Sequence, residues 1–439
     1  MGKNRIVKTL TGSGTFTVPA GVTQISVYSR FGDEKLSPVN VGFLSTVAHT
    51  QTGQAYSWGD NRDGQLGDGT IIDKSSPVAV VGGYSFVSVT GGGSAGTGFT
   101  IGLTASGQAY GWGLNTSGRL GDGTTVTKSS PVAVVGGYSF NQISSGVSHT
   151  LALTDSGQAY GWGANTNGVI GDGTIVSRSS PVPVVGGYSF IQVSCSSSSF
   201  GLTASGQAYA WGNNGTGQLG DDTLVSKSSP VAVVGGYSFI QISAGGSHTL
   251  GLTASGQAYA WGANTSGQLG DDTLVSKSSP VAVVGGYSFI QVSAGGSNSF
   301  GLTASGQLYG WGFNSSGQIG DGTVIRRSSP VAVVGGYSFI QVSAGSGGTN
   351  SAISVEGRIY SWGQNVNGII GDGTIVPKSS PVAVVGNLFF SVIPPLTLRC
   401  SITVRPGDSI GYKTGLARTY FGQAVFNTDI SEFVVEYFA

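Results

Sequence analysis

Short runs of alternating apolar and polar residues, separated by glycine-rich turns, follow one another along most of this chain. Phe239-Ile240-Gln241-Ile242-Ser243 has the period of a half-buried strand, and Thr249 to Thr253 has the same character. Ala254-Ser255-Gly256-Gln257 between them and the next run reads as a tight hairpin turn, with glycine supplying the unusual backbone angle. Ala258 to Trp261 predicts a third strand. A polar loop from Asn264 to Ser279 leads to Pro280-Val281-Ala282-Val283-Val284, a fourth strand with Pro280 expected at its start, where a missing N–H costs little. Gly285-Gly286 then turns the chain into the next unit. No segment keeps a helical period, so the prediction is all-β.

The four-strand unit recurs. The seven tryptophans (Trp58, Trp112, Trp162, Trp211, Trp261, Trp311 and Trp362) each sit in a Tyr-x-Trp-Gly step. Each is followed by Gly-Asp-Gly-Thr or Gly-Asp-Asp-Thr and then by Ser-Ser-Pro-Val. Two consecutive units are identical over Gly217 to Gln241 and Gly267 to Gln291, the mark of duplication. Four-stranded units of about fifty residues, seven in number, fit the blades of a β-propeller. An open solenoid would need atypical capping units. The first and last units keep every landmark, which favours a closed ring with tryptophan supplying apolar area between neighbouring blades.

Composition narrows the picture. Among 439 residues, 20 Lys and Arg balance 20 Asp and Glu, so no global field draws the chain to nucleic acid or anionic lipid. The two cysteines, Cys195 and Cys400, lie far apart in unlike surroundings and suggest no disulfide framework. Cys195 stands where other units carry alanine (Ala244, Ala294, Ala344) and is expected to be a small packed side chain. The first residues contain no apolar secretory core, position 6 is Ile where a myristoylation signal needs Ser or Thr, and no stretch is apolar enough for a transmembrane helix. The expectation is synthesis in the cytoplasm and no membrane insertion.

From Gly245 to Asp271 the chain follows an uninterrupted pattern, Gly-x-x-His-Thr-Leu-Gly-Leu-Thr-x-x-Gly-x-x-Tyr-x-Trp-Gly-x-Asn-x-x-Gly-Gln-Leu-Gly-Asp. This resembles the repeat of the regulator of chromosome condensation family, and the resemblance covers about residues 37 to 393. It implies a seven-bladed ring and says little of activity, because the family carries exchange factors, ubiquitin ligases and protein inhibitors on one scaffold. The ends differ. Gly12 to Phe31, with its Thr-Phe-Thr-Val-Pro-Ala-Gly-Val-Thr core, resembles the opening strands of a β-domain found in bacteriophage tail-fibre proteins. Ile402 to Ile410, with Val-Arg-Pro-Gly-Asp, resembles a later segment of such a domain. Its glycine-rich middle is missing. The expected organisation is a small β-domain split between residues 1–36 and 394–439, with the propeller at 37–393 inserted. Two segments, 388–393 and 22–27, resemble the strand that opens each blade. Residues 388–393 are expected to open blade one, so that the first and last units share a blade.

Candidate chemistry is sparse. His49, His149 and His248 do not converge, and they read as hydrogen-bonded blade residues. The turn aspartates (Asp68 in the first unit, Asp271 in the fifth) are expected to cap their own turns, since Arg62 interrupts the oxygen spacing a calcium loop needs. A cation precedes each Ser-Ser-Pro, from Lys74 to Lys378, and local neutralisation by loop aspartates is expected. No catalytic constellation, cofactor or metal site emerges. The loop after each Trp-Gly varies between units, and in a propeller equivalent loops share a face. The candidate binding rim is therefore Arg62, Asp63, Leu114, Asn167, Phe313, Arg326 and Gln364. With the tail-fibre resemblance, the expectation is a non-enzymatic structural or receptor-binding component of a bacteriophage virion, associated with the tail and assembled in the host cytoplasm. Its terminal β-domain would meet other virion proteins and the propeller a host surface receptor or glycan, in many copies and without nucleic acid. The alternative is a cytoplasmic protein-binding propeller of the exchange-factor or inhibitor type.

Overall fold

The computed structural model describes residues 39–385 in full apart from 51 and 95, together with the backbone of eight strands nearer the ends. Seven four-stranded antiparallel sheets follow one another in chain order. In blade five the strands are Phe239–Ala244, His248–Thr253, Ala258–Gly262 and Lys277–Ala282, paired in that order from the axis outward. The fourth strand therefore begins three residues before Pro280, not at it. Its register with the third strand jumps from Val281 opposite Ala260 to Lys277 opposite Gly262, and Pro280 sits inside that irregularity on an edge strand, where no ladder N–H is required of it.

The cores lie between blades rather than within them. Leu151, Leu153, Ala159 and Val184 of blade three pack against Phe190, Val193, Cys195 and Trp211 of blade four. The same arrangement recurs at the neighbouring interfaces. Each tryptophan is fully buried. Its indole N–H donates to a carbonyl of the preceding blade: Trp211 to Val169 at 2.9 Å, Trp261 to Gln218 at 2.9 Å, Trp311 to Gln268 at 3.0 Å. That carbonyl accepts a second bond from the following blade, as from Ser199 Oγ at 2.7 Å or Thr249 Oγ1 at 3.0 Å. A glycine closes over the indole. Gly171 has φ +80°, and a Cβ there would stand 2.6 Å from Trp211 Nε1, so only glycine lets the turn lie on the ring.

Closure follows from three rows of bonds that run completely around the circle. Trp58 of blade one donates to Ile369 of blade seven at 2.9 Å. Gly373 N of blade seven donates to Ser75 O of blade one, as Gly173 N does to Ser228 O between blades three and four. Nearest the axis, a side chain of each innermost strand accepts from a backbone N–H of the next blade: Asn40 from Gly91, Thr90 from Ser145, Ser144 from Cys195, Ser194 from Ala244, Ser243 from Ala294, Ser293 from Ala344 and Ser343 from Val41.

The last of these bonds corrects the expected closure. The opening strand of blade one is Val39–Val41, paired with Ser45–His49. Residues 388–393 lie outside the described residues, and Gln24–Arg30 pairs elsewhere. No blade is shared: blade one runs from Val39 to Ala79 and blade seven from Phe339 to Ala383, each from contiguous chain. The three-residue strand was too short to show a period in the sequence, but its Asn40 side-chain Oδ1 and Val41 N–H complete the axial row.

The backbone divides into two compact units, Ser37–Ser391 and a unit joining Met1–Leu36 to Val392–Ala439. In the second unit, one antiparallel sheet orders the strands Arg5–Thr11, Glu432–Phe438, Gln24–Arg30 and Cys400–Thr403, so strands from the two ends of the chain alternate. Gly14–Thr17 pairs with Ser409–Tyr412.

Histidines sit in the blade interfaces. His149 Nε2 and Ser199 Oγ of the next blade are 2.8 Å apart, as are His248 Nε2 and Ser299 Oγ. Asn298 fills the equivalent place in blade six and donates to Asn350 at 3.0 Å. Burial pushes the His149 imidazole down to about 3, with the nearby Arg119 charge adding to it, and burial pushes His248 down to about 4. Both are held neutral.

Three outcomes follow. Trp211→Ala should cost about 3–5 kcal/mol, read from denaturant unfolding. Gly171→Ala should destabilise through the same indole, though the alanine keeps every apolar contact of the core. For the histidines, the unfolded chain binds protons near pH 6.5 that the folded chain refuses until about pH 3–4. Their contribution is thus complete above about pH 6.5 and is lost as pH falls from there toward the folded values. The denaturation midpoint should drop between about pH 7 and 5, and the double variant His149→Asn/His248→Asn should show a shallower drop. An equal drop in both proteins would contradict the assignment.

Candidate protein-interaction face

Within each blade the first-to-second and third-to-fourth strand connections emerge on the same side of the ring, as Asp60 N bonding to Leu44 O and Phe313 N to Ser297 O record. The longer connection carries the candidate residues. Its shape comes from one asparagine, Trp-Gly-x-Asn, that is fully buried in every blade. Asn264 Nδ2 donates toward Asp271 Oδ1 at 2.9 Å and the carbonyls of Thr273 and Val275, while its Oδ1 accepts from Leu269 N at 2.9 Å. Asn165 and Asn365 repeat the pattern. A side chain with two donors and an acceptor replaces the missing strand ladder and holds the fourteen residues of the loop in one conformation. The sequence displayed this asparagine in all seven units, but spacing alone assigns it no role.

The turn aspartates cap their turns. Asp271 Oδ1 accepts from Thr273 N at 3.1 Å and from Thr273 Oγ1 at 2.8 Å, and the same bonds recur from Asp68 to Asp372. Five loop cations pair with the aspartate of their own loop: Lys74 with Asp68, Arg178 with Asp172, Lys227 with Asp221, Arg327 with Asp321 and Lys378 with Asp372. Burial alone would raise the Asp172 carboxyl, but bonds from Thr174 and Arg178 outweigh it and hold it below the usual range. The cations are thereby spent locally.

The rim residues divide into two groups. Arg62 and Asp63 belong to the frame. Arg62 donates to the buried Asp60 carboxylate from Nε at 2.8 Å, and Asp60 also accepts from Gln65 and, across the closing seam, from Asn367 Nδ2 at 2.8 Å. Burial would raise the Asp60 carboxyl, and the Arg62 bonds and charge more than reverse it. Asp63 Oδ2 accepts from Gly98 N of blade two at 3.1 Å. In the second group, Leu114 and Gln364 are half-buried and Asn167 is exposed at φ +64°. Phe313 is 40% exposed, and exposed Arg326 reaches back to Thr265 O of the preceding blade. These five lie on one face and on four blades, Phe313 and Arg326 sharing blade six, spread around the ring rather than gathered into one pocket.

Burial pushes the Cys195 thiol up to about 12, and its Sγ lies 3.1 Å from Ser144 O. Around the axis is a polar cavity lined by Ser144, Ser194, Ser243, Ser293 and Ser343 with glycine and alanine between them. Among the described residues, no group of three or more His, Cys, Asp or Glu is placed to hold a metal. No helix among them is long and apolar enough to cross a membrane.

Known proteins share this architecture. The Arabidopsis thaliana ultraviolet-B receptor UVR8 is 36% identical over 104 residues, 24% of this chain and 23% of the receptor. The chain thus spans less than a quarter of the length of the curated relatives it matches. Human WBSCR16 superimposes with a TM-score of 0.65 at 19% identity, over 83% of this chain and 94% of that one. Prp20p of Saccharomyces cerevisiae does so at 0.61 and 20%, over 75% and 91%. At such identities the likeness is one of fold. The sequence profile of the RCC1-like domain matches residues 10–349, and the chain belongs to that family.

Proposed function

We propose that the chain is a non-catalytic protein-binding platform that uses the loop face of its ring. The observation carrying this reading is that seven loops share one hydrogen-bonded frame while their outward side chains differ from blade to blade. Such a surface presents different chemistry at fixed positions and pays little ordering entropy on binding. Phe313 and Leu114 serve as apolar anchors, with Asn167, Arg326 and Gln364 as the polar surround. Prp20p, of the same fold, has characterised binding to Gsp1p and histones, which supports a protein as the ligand class; the exchange-factor or inhibitor type is the role proposed for such a platform from the family resemblance. Neutralisation of five of the seven loop cations by aspartates of their own loops argues against a polyanion.

A second reading has its own observation. The Thr-Phe-Thr-Val-Pro and Val-Arg-Pro-Gly-Asp segments resemble a tail-fibre domain, and the strands beside them, Gly14–Thr17 and Ser409–Tyr412, pair with each other. On this reading the terminal unit anchors the chain in a virion and the ring displays its loop face to a receptor. Mass spectrometry of purified particles tests it, and absence of the chain from them would end it.

For the platform itself, cross-linking mass spectrometry of the full chain with its captured partner should place cross-links on the third-to-fourth strand loops. Leu114→Ala/Phe313→Ala should weaken capture by about 10-fold or more with unchanged melting. Undiminished capture by the double variant, or cross-links confined to the opposite face, would refute the reading.

A further inference from the structure

In four blades the long loop carries a glutamine three residues before its turn aspartate, and that glutamine has a fixed task. Its Oε1 accepts the backbone N–H two residues earlier: Asp63 N to Gln65 at 2.9 Å, Thr216 N to Gln218 at 2.9 Å, Ser266 N to Gln268 at 2.9 Å and Ser316 N to Gln318 at 2.8 Å. Blades three and seven have Val169 and Ile369 instead, and there the loop changes shape, with Asn167 at φ +64° and Asn367 at φ +59° inside a short 3-10 turn. Blade two has neither remedy. It carries Arg119, whose guanidinium can only donate, and its loop keeps the conformation of the glutamine blades. Among the described residues nothing accepts from Ser117 N.

Arg119 is itself short of partners. It is 7% exposed, its Nε meets no acceptor, and its Nη2 reaches only Thr116 Oγ1 at 3.4 Å. No carboxylate among the described residues pairs with it. Burial works against its charge, and the nearby Asp63 only partly offsets this, since that carboxylate accepts from Gly98 N at 3.1 Å. The Phe99 ring lies against the guanidinium, with Cζ 5.6 Å from the ring centroid. Phe99 stands in the register position held by His149, His248 and Asn298 in other blades. Blade two alone thus gathers a buried positive charge and a spare N–H, two residues apart, beside an aromatic wall. Arginine stays ionised in such a place, and a buried charge without a partner is costly.

We propose that Arg119 and Ser117 N form a subsite for one carboxylate group at the foot of the Leu114 loop. A guanidinium edge matches the two oxygens of a carboxylate, and a ligand oxygen at Ser117 N takes the part that glutamine Oε1 plays in four other blades. Charge selects the class. One uncompensated cation takes one negative charge, and the neighbouring Asp63 carboxylate opposes a dianion such as phosphate. Thr116 is exposed and Leu114 half-buried, so the subsite belongs to the loop face. The carboxylate is carried by a free small molecule or by an acidic side chain of a bound protein, and the subsite itself does not depend on the platform reading.

Acetate is the probe, titrated into the full chain against chloride at constant ionic strength and read by the Arg119 Nε–H resonance and by melting. Saturable binding is expected with a dissociation constant on the order of 1–10 mM, and acetate should raise the melting midpoint above that in chloride. Arg119→Gln, which restores an acceptor for Ser117 N, should weaken acetate binding by about 10-fold or more while melting no lower than the unaltered protein in chloride. Arg119→Lys, which keeps the charge and loses the planar fork, should fall between the two. Equal acetate binding by Arg119→Gln would overturn the proposal, as would equal binding of neutral acetamide, tighter binding of inorganic phosphate, or no saturation up to about 100 mM. An Arg119→Gln variant that melts lower in chloride would also overturn it, making the arginine part of the frame. With the subsite established, release of a captured protein by saturating acetate identifies a protein-borne carboxylate, and undisturbed capture identifies a free one. Undiminished capture by Leu114→Ala/Phe313→Ala would refute the platform and leave acetate binding at Arg119 standing.

Discussion

Everything in the ring depends on one carbonyl per blade. The oxygen of Val169, like those of Gln65 and Gln268, receives an indole N–H and a hydroxyl from the following blade, deep in a region that excludes water. A buried carbonyl has two lone pairs, and here both are used by the neighbour. The apolar contact of the indole supplies most of the association free energy between blades, while the two hydrogen bonds fix the angle at which they associate. An angle repeated at every step decides how many steps close the circle. The same bond at the seam, from Trp58 to Ile369, shows that the seventh step returns to the first without distortion.

The loop face is a by-product of this constraint. To place its carbonyl under the next indole, each blade sends a long connection out over its neighbour, and the buried asparagine keeps that excursion ordered. What projects from the connection is then free to differ. Frame and display are separated within a few residues of each other: Asn314 is fully buried while the adjacent Phe313 is two-fifths exposed. Arg62 shows that the separation is not complete, since the irregular residues of blade one serve the seam through Asp60 and Asn367.

Much of the fold was legible because repetition amplifies weak signals. Seven coincident tryptophans and turns reveal four-strand units even where a single strand of five residues would be ambiguous. The capping role of Asp271 was readable because carboxylate, glycine and threonine at that spacing have few other uses. Three features were not readable. Val39–Val41 is too short to carry a period, and it is identified only by its bonds to Ser45–His49 and Ser343. The asparagine frame joins residues eleven apart through a side chain, which no periodicity encodes. The strand Lys277–Ala282 contains its proline because a register jump frees the ladder there, and such a jump leaves no trace in the pattern of apolar positions.

Because each blade is a contiguous stretch of chain, blades one and seven are joined by packing and hydrogen bonds, and among the described residues no strand is sewn across them. The ring is in this respect a split washer. Tension between its two loose edges, at Val39 and Ala383, does not have to peel a strand out of a sheet. It separates a single blade interface as a unit, against Trp58, Asp60 and the axial Ser343 bond, and leaves the other six closed. The molecule thus has a designated place to give way, and the chain enters and leaves the propeller on either side of it.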